Sequence, residues 1–119
     1  MKEILFRGKR VATATFVYGF YSVFDNRNHS IVNDNGHFWV IPETVGQFTG
    51  LTDKNGTKIF EGDILRYGNR KGYVNYGMGC FNVHDSEQKN NPAIDVIMDQ
   101  HDIEVIGNIH DNPELLEGS

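Results

Sequence analysis

The chain has 119 residues, of which 39% are hydrophobic and 23% charged, and its formal net charge is -5. This composition is typical of a globular domain and excludes a disordered chain, and no apolar run reaches the roughly 18 residues of a membrane-spanning helix. The acidic balance weighs against sequence-independent nucleic-acid binding, because that binding depends on neutralising phosphates.

The expected compartment follows from the start of the chain and from its cysteine content. Residues 1–7 lack the long apolar core and the small-residue cleavage site of a secretory signal. Cys80 is the single cysteine and cannot form an internal disulfide. We therefore expect a protein of the reducing cytoplasm, with Cys80 buried as a small apolar side chain.

Alternation with period two predicts short β-strands in the first part of the chain. These strands are residues 4–6, 16–24, 29–32 and 37–41. Residues 7–10 are charged and contain glycine, which predicts a turn after the first strand. Residues 33–36 read Asn-Asp-Asn-Gly and predict a hairpin, because Asn and Gly tolerate positive φ. Residues 43–47 favour no single structure.

The rest of the chain continues the same pattern. Its predicted strands are residues 48–51, 57–60, 64–67, 73–76, 80–84 and 103–109. Two tight turns separate the early strands, and we assign their residues a structural role; these are Asp53, Asn55, Gly56, Gly62 and Asp63. Residues 94–98 fit a strand or a helical turn equally well. Residues 112–118 carry an N-cap, a proline and acidic residues, and predict one helical turn.

These elements predict a mainly-β fold. We expect an SH3-like or similar small β-barrel over about residues 49–110, preceded by a β-hairpin lobe and followed by a short C-terminal helical turn. Residues 1–119 then form a single domain, with lobes 1–48 and 49–119.

The candidate catalytic groups are three His-Asp dipeptides, at residues 84–85, 101–102 and 110–111. Neighbouring residues on a strand point to opposite faces, so such a pair does not hold one ion there. The spacing matches no zinc motif, phosphate loop or nucleophile elbow. We predict no enzyme, catalytic residue, metal or cofactor; a small hydrolase or metal enzyme using these pairs is the remaining alternative.

A basic and aromatic cluster is the best candidate for a binding site. Its members are Arg66, Tyr67, Arg70, Lys71 and Tyr73. Aromatic rings beside basic groups bind single-stranded nucleic acid by stacking and phosphate contact. The competing interpretation places the rings in the core or in a subunit interface, where aromatic residues are also common.

Three stretches of the chain are shared with one known family. The most specific is IPETVGQFTGLTDKNG at residues 41–56, continued by IFEGDIL at residues 59–65. The others are ILFRGKR at residues 4–10, followed by FVYG at residues 16–19, and IEVIGNIHDNPELL at residues 103–116. Together they resemble the YopX family, small proteins typical of bacteriophages and prophages of Gram-positive bacteria. The family often has Trp where Phe16 stands, which leaves the strand prediction unchanged.

The resemblance implies a β-rich homo-oligomer but no established activity, so it transfers no catalytic residue. We expect a cytoplasmic accessory protein of a phage or prophage that acts by binding as a homo-oligomer, with an unidentified host or phage protein as partner. The alternative is a nucleic-acid-binding module, which is not favoured. No membrane association is expected.

Overall fold

The computed structural model describes residues 5–85 and 91–116. Within them the regular structure is almost entirely antiparallel β, with one α-helix and two 3-10 turns. The predicted mainly-β fold is therefore confirmed. The chain divides into two compact units, Met1–Phe48 and Thr49–Ser119. In the described part of the chain, no helix has the length and hydrophobicity that crossing a bilayer requires.

The first unit contains four strands and the start of a fifth. They are β1 (Phe6–Lys9), β2 (Phe16–Val23), β3 (His29–Asn33), β4 (Gly36–Val40) and β5 (Gly46–Thr52), which continues into the second unit. Neighbouring strands are antiparallel, in the order β4-β3-β2-β1-β5. A 3-10 turn, Pro42–Thr44, occupies part of the segment for which the sequence favoured no structure.

The predicted turn at residues 7–10 is wrong, because Arg7, Gly8 and Lys9 belong to β1. Two contacts explain how a charged segment fits a strand. The Arg7 guanidinium lies 4.4 Å from the centre of the Phe16 ring, and the Lys9 ammonium lies 5.6 Å from it. Both are within the range of cation–π attraction. Gly8 permits a close approach, since a β-carbon there would lie 3.1 Å from Cβ of Val40.

The hairpin predicted at residues 33–36 is confirmed and joins β3 to β4. Asn33 and Gly36 form its closing pair. The Asn33 side-chain oxygen accepts a hydrogen bond from the Asn35 amide at 2.8 Å, and Gly36 has φ of 140°. The inner face of this sheet carries Ile31 and Val40, which are 0% and 1% exposed. Alternation along the strands then places the opposite face outward.

The second unit holds the remaining elements. They are β6 (Lys58–Phe60), β7 (Asp63–Tyr67), β8 (Arg70–Gly77), β9 (Cys80–His84), α1 (Ile94–Gln100) and β10 (Ile103–Asn108). Four of these strands form an antiparallel sheet in the order β10-β7-β8-β9. Its described ladders leave β9 and β10 at the edges, so this sheet is open. A 3-10 turn at Pro113–Leu116 lies within the predicted C-terminal helical turn, of which residues 117 and 118 lie outside the described residues.

One face of this sheet and α1 enclose the core of the second unit. The buried cluster comprises Ile59, Leu65, Tyr67, Val74, Val83, Ile94, Ile97 and Ile103. Ile94 and Ile97 are three residues apart on α1, which is the spacing that places two side chains on one helix face. The short apolar run at residues 94–98, for which the sequence left strand and helix open, is thus a helix that covers the sheet.

Candidate binding surfaces

The register of the β7–β8 hairpin divides the predicted basic and aromatic cluster between two faces. Arg66 pairs with Lys71 across the two strands, and Tyr67 pairs with Arg70. Because side chains alternate between faces, Arg66, Lys71 and Tyr73 lie on one side of the sheet. Tyr67 and Arg70 lie on the other side, where the core is. The five residues therefore do not form one surface.

On the core side, Tyr67 and Arg70 hold a buried carboxylate. Tyr67 is 2% exposed and Asp85 is 5% exposed. The Tyr67 hydroxyl donates to Oδ2 of Asp85 at 2.8 Å, and Nε of Arg70 donates to the same oxygen at 2.7 Å. The Tyr67 ring is consequently not available for stacking on a ligand, and the Arg70 charge is compensated.

The opposite side presents a polar face, which we define as Arg66, Lys71, Tyr73, Asn75 and His84. The Tyr73 and His84 rings stack with centroids 5.0 Å apart and planes inclined by 25°. The Asn75 side-chain nitrogen lies 3.3 Å from Nε2 of His84. This face thus combines two cations with a stacked pair of rings.

An acidic neighbour reduces the positive charge of the polar face. Arg66 donates to Oε1 of Glu104 at 2.5 Å. This hydrogen bond and the guanidinium charge hold the pKa of Glu104 below its usual value. A cleft of about 390 Å³ adjoins the pair and is lined by residues of both signs, including Lys54 and Asp102. The cleft is therefore polar without a dominant charge.

The first unit presents an aromatic face that the sequence interpretation did not single out. It consists of the outward side chains of β2, β3 and β4 and the residue after β2, namely Tyr18, Phe20, Phe24, Val32, His37 and Trp39. Phe20, Phe24 and Trp39 are 69%, 63% and 46% exposed. The Phe24 and Trp39 rings lie 5.3 Å apart, and those of His37 and Trp39 lie 4.7 Å apart. These exposed rings therefore form one contiguous patch.

The strands β2, β3 and β4 that carry the aromatic face contain no formal charge, and the cations on this side of the sheet, Arg7 and Lys9, belong to β1 and lie beside Tyr18 and Phe16. None of the residues of β2, β3 and β4 is Lys, Arg, Asp or Glu. A signal for this face was present in the sequence. A strand with one face in water normally alternates apolar and polar residues, whereas β2 reads FVYGFYSV and is apolar on both faces. A contiguous exposed apolar patch of this kind indicates an interaction surface.

A second exposed apolar feature is the hairpin tip, which we define as residues 76–81, the end of β8, the two-residue turn and the start of β9. Met78 is 100% exposed and Tyr76 is 51% exposed. The Tyr76 and Phe81 rings meet edge to face at 5.0 Å. Cys80 is exposed, so its expected burial is wrong; its Sγ instead lies 3.3 Å from the Asn82 side-chain oxygen.

The predicted turn residues lie at two tight bends of the second unit. Asp53 is 7% exposed, and its Oδ1 accepts hydrogen bonds from the amides of Asn55 and Thr57, each at 2.9 Å. Gly56 has φ of 83°, which favours glycine. At the other bend, Gly62 has φ of 93° and Oδ2 of Asp63 accepts the Phe60 amide at 2.8 Å.

Asp53 is a buried carboxylate that its hydrogen bonds keep in the charged form. Burial alone would raise the pKa of Asp53. Hydrogen bonds from the backbone amides of Val105, Thr57 and Asn55 outweigh that effect, so the pKa of Asp53 lies below its usual value. The ionised carboxylate is therefore the form that the fold stabilises.

The side chains of the His-Asp dipeptides contact different partners and do not meet at one site. His84 stacks on Tyr73, whereas Asp85 is buried beneath Tyr67 on the other side of the sheet. Oδ2 of Asp111 accepts a hydrogen bond from the Asn108 side chain at 3.1 Å. Within residues 5–85 and 91–116, no three His, Cys, Asp or Glu side chains are grouped as metal ligands would be.

Comparison with known proteins identifies the family. A family model described as YopX protein matches residues 12–117. No curated protein matches the chain. Among solved structures, the crystal structure of protein EF1440 from Enterococcus faecalis is similar, with a TM-score of 0.63 and 28% sequence identity, over 98% of this chain and 100% of that chain. The family match spans most of the chain, including the stretches at residues 41–65 and 103–116 that carried the resemblance. The chain therefore belongs to the YopX family.

Proposed function

We propose that the protein is a cytoplasmic accessory protein of a phage or prophage that acts by binding, and that it works as a homo-oligomer assembled through the aromatic face. The observation that carries the proposal is the set of exposed rings on the outward side of β2, β3 and β4, three strands that contain no charged residue. Phe20 and Phe24 are each more than 60% exposed. A second copy of the chain fits such a face because no like charges oppose each other when it is covered.

The magnitude of the apolar surface supports a stable contact. An aromatic side chain buries 150–250 Å² when fully covered, so each ring exposed by half or more can contribute about 2–3 kcal/mol at about 25 cal/mol per Å². Association costs about 4–15 kcal/mol in lost freedom. One ring does not meet that cost, whereas Phe20, Phe24, Trp39 and Tyr18 covered together give a sum that offsets the lower part of this range.

The proposal is tested by light scattering after size exclusion at micromolar protein. Phe20→Thr combined with Trp39→Thr removes two rings from the aromatic face and keeps residues that favour strands. We expect the wild-type protein to elute as an oligomer and this double variant as a monomer. Val23→Thr is the control: Val23 is 55% exposed on the same strand but points to the other face. Equal masses for the wild type and the double variant would exclude the aromatic face as the interface.

The unidentified partner requires a separate experiment. Tagged wild-type protein is captured from prophage-induced host cells, and we expect a host or phage protein to be retained with it. The tagged double variant should retain the same protein equally, because the two substitutions leave any partner surface outside the aromatic face unchanged. Recovery of the chain alone would restrict the binding proposal to self-association.

A second candidate function, binding of single-stranded nucleic acid, is favoured by one observation. The register places Arg66 beside Lys71, and Tyr73 follows on the same face, stacked on His84. This spacing joins a ring platform to phosphate-binding groups. The Arg66–Glu104 pair and the net charge of -5 oppose it, which is why self-association comes first.

Fluorescence anisotropy with a labelled single-stranded oligonucleotide at about 50 mM salt tests this candidate. Binding that weakens with salt, and that falls for Lys71→Ala and Tyr73→Ala, would support it. Lys58→Ala removes an equal charge from β6, outside the polar face, and serves as the control. No anisotropy change with the wild-type protein would eliminate nucleic-acid binding at this face.

A further inference from the structure

The turn at the hairpin tip contains a residue that its backbone does not favour. Met78 and Gly79 both have positive φ, 55° and 79°. Two-residue hairpin turns of this kind prefer Asn-Gly, because Asn tolerates the left-handed region and most other residues are strained there. Met78 is nevertheless fully exposed, so no burial of its side chain compensates for this strain. A residue with a strained backbone whose side chain is not buried by its own chain indicates a contact with another molecule.

The tip has the shape and chemistry of a small apolar knob. Residues 76–81 read Tyr-Gly-Met-Gly-Cys-Phe and contain no charged side chain. The Tyr76 and Phe81 rings meet at 5.0 Å on the two strands that the Met78 turn connects. The knob therefore requires an uncharged receptor, since burying a charge against it would be unfavourable.

The aromatic face provides a receptor of matching chemistry. Its rings of Phe24, His37 and Trp39 lie 4.7–5.6 Å from one another. Thioether sulfur makes favourable contacts with aromatic rings, and a flexible methionine adapts to their shape. The tip carries no formal charge, and neither do Phe24, His37 and Trp39, so these groups fit each other without an unpaired ion.

We propose that the hairpin tip of one copy docks on the aromatic face of the next copy, with Met78 placed among Phe24, His37 and Trp39. This inference depends on the proposed self-assembly through the aromatic face and specifies its mode. The contact is heterologous, because it joins two different surfaces, and repeating it builds a ring or a filament. A symmetric contact of two aromatic faces would instead leave the tip exposed in the assembly.

The test uses a tip variant that is not expected to damage the fold. Met78→Asn removes the side chain and creates the favoured Asn-Gly turn, so its melting temperature should equal or exceed that of the wild type. We expect the dissociation constant for self-assembly to rise about tenfold or more. Met78→Gly is a second variant with an unstrained turn, and it should weaken assembly in the same way.

Mixing two variants distinguishes the heterologous mode from a symmetric one. The Met78→Asn chain keeps an intact aromatic face, and the chain carrying Phe20→Thr with Trp39→Thr keeps an intact tip. Each alone should be monomeric, whereas an equimolar mixture should form a dimer of the two chains and nothing larger. Light scattering and native mass spectrometry of the mixture measure this.

The outcomes separate the two proposals. If the tip variants assemble like the wild type, or if the mixture stays monomeric, the heterologous contact is wrong while self-assembly stands. If the wild type itself is a monomer, both proposals fail. If tip variants assemble normally but lose a captured host protein or binding to lipid vesicles, the tip serves that other partner, and docking between copies is overturned.

Discussion

The carboxylate of Asp53 accepts a hydrogen bond from the backbone N–H of Val105, 52 positions further along the chain, at 2.9 Å. Val105 lies where the pairing of β10 with β7 becomes irregular. The other Asp53 oxygen accepts the amides of Asn55 and Thr57. One buried side chain thus fixes a tight turn and satisfies a backbone donor at a break in the sheet register.

Replacing this carboxylate should destabilise the protein. Asp53→Asn exchanges one acceptor oxygen for a donor group, which leaves at least one backbone N–H without its partner, at a cost of about 2 kcal/mol. Urea unfolding at fixed protein concentration measures this change. Asp34→Asn alters an exposed turn residue and should change the unfolding free energy by less than about 0.5 kcal/mol. Equal losses for both variants would contradict the role of Asp53.

The lowered pKa of Asp53 predicts a dependence of stability on acid pH. In the unfolded chain this carboxyl titrates near its ordinary value of about 3.9, and in the folded chain it titrates lower. Its contribution is therefore complete above the unfolded pKa and is lost as the pH falls through the folded pKa. The unfolding free energy of the wild type should drop below about pH 4 more steeply than that of Asp53→Asn. Parallel curves would show that Asp53 is not the group responsible.

The sequence predicted strands well where aromatic and β-branched residues alternate, as in β2, and where Asn and Gly mark a turn, as between β3 and β4. It failed at β1, because Arg7 and Lys9 have the composition of a turn and only the contact with Phe16 explains their place in a strand. Residues 94–98 were undecided, since a run of five residues with four apolar ones shows neither period clearly; packing on the sheet determines the helix.

The candidate site was predictable in part. The turn between Tyr67 and Arg70 has two residues, which fixes the register and separates these two side chains from Lys71 and Tyr73. The alternation of side chains along a strand is sufficient to predict that these residues lie on two opposite faces of the sheet. The link from Tyr67 to Asp85 was not predictable, because it joins β7 to the residue that follows β9, and these two strands are not neighbours in the sheet.

The buried link to Asp85 gives a matched pair of tyrosine variants. Tyr67→Phe removes the hydroxyl that donates to the Asp85 carboxylate and should lower the unfolding free energy by about 1–2 kcal/mol. Tyr73→Phe removes a hydroxyl from the polar face and should have an effect below about 0.5 kcal/mol. Urea denaturation of both variants compares them. A neutral Tyr67→Phe would indicate that Asp85 does not need this donor.

Glycine positions in β8 provide a test of the sheet packing. A β-carbon at Gly72 would lie 2.7 Å from the His84 carbonyl oxygen and 2.7 Å from Cγ1 of Val83, whereas one at Gly77 would lie no nearer than 3.7 Å from the atoms around it. Gly72→Ala should therefore cost about 1–3 kcal/mol, and Gly77→Ala should cost far less. Thermal melting of the two variants measures the difference, and similar melting temperatures would contradict the β8–β9 packing.

Sedimentation equilibrium of the untagged wild-type protein over a range of micromolar concentrations tests most directly whether the uncharged aromatic surface of β2, β3 and β4 drives assembly. If this surface drives assembly, the wild-type mass is a multiple of 13.5 kDa and returns to 13.5 kDa when Phe20 and Trp39 are both replaced by Thr. A wild-type mass of 13.5 kDa at every concentration would contradict assembly through this surface.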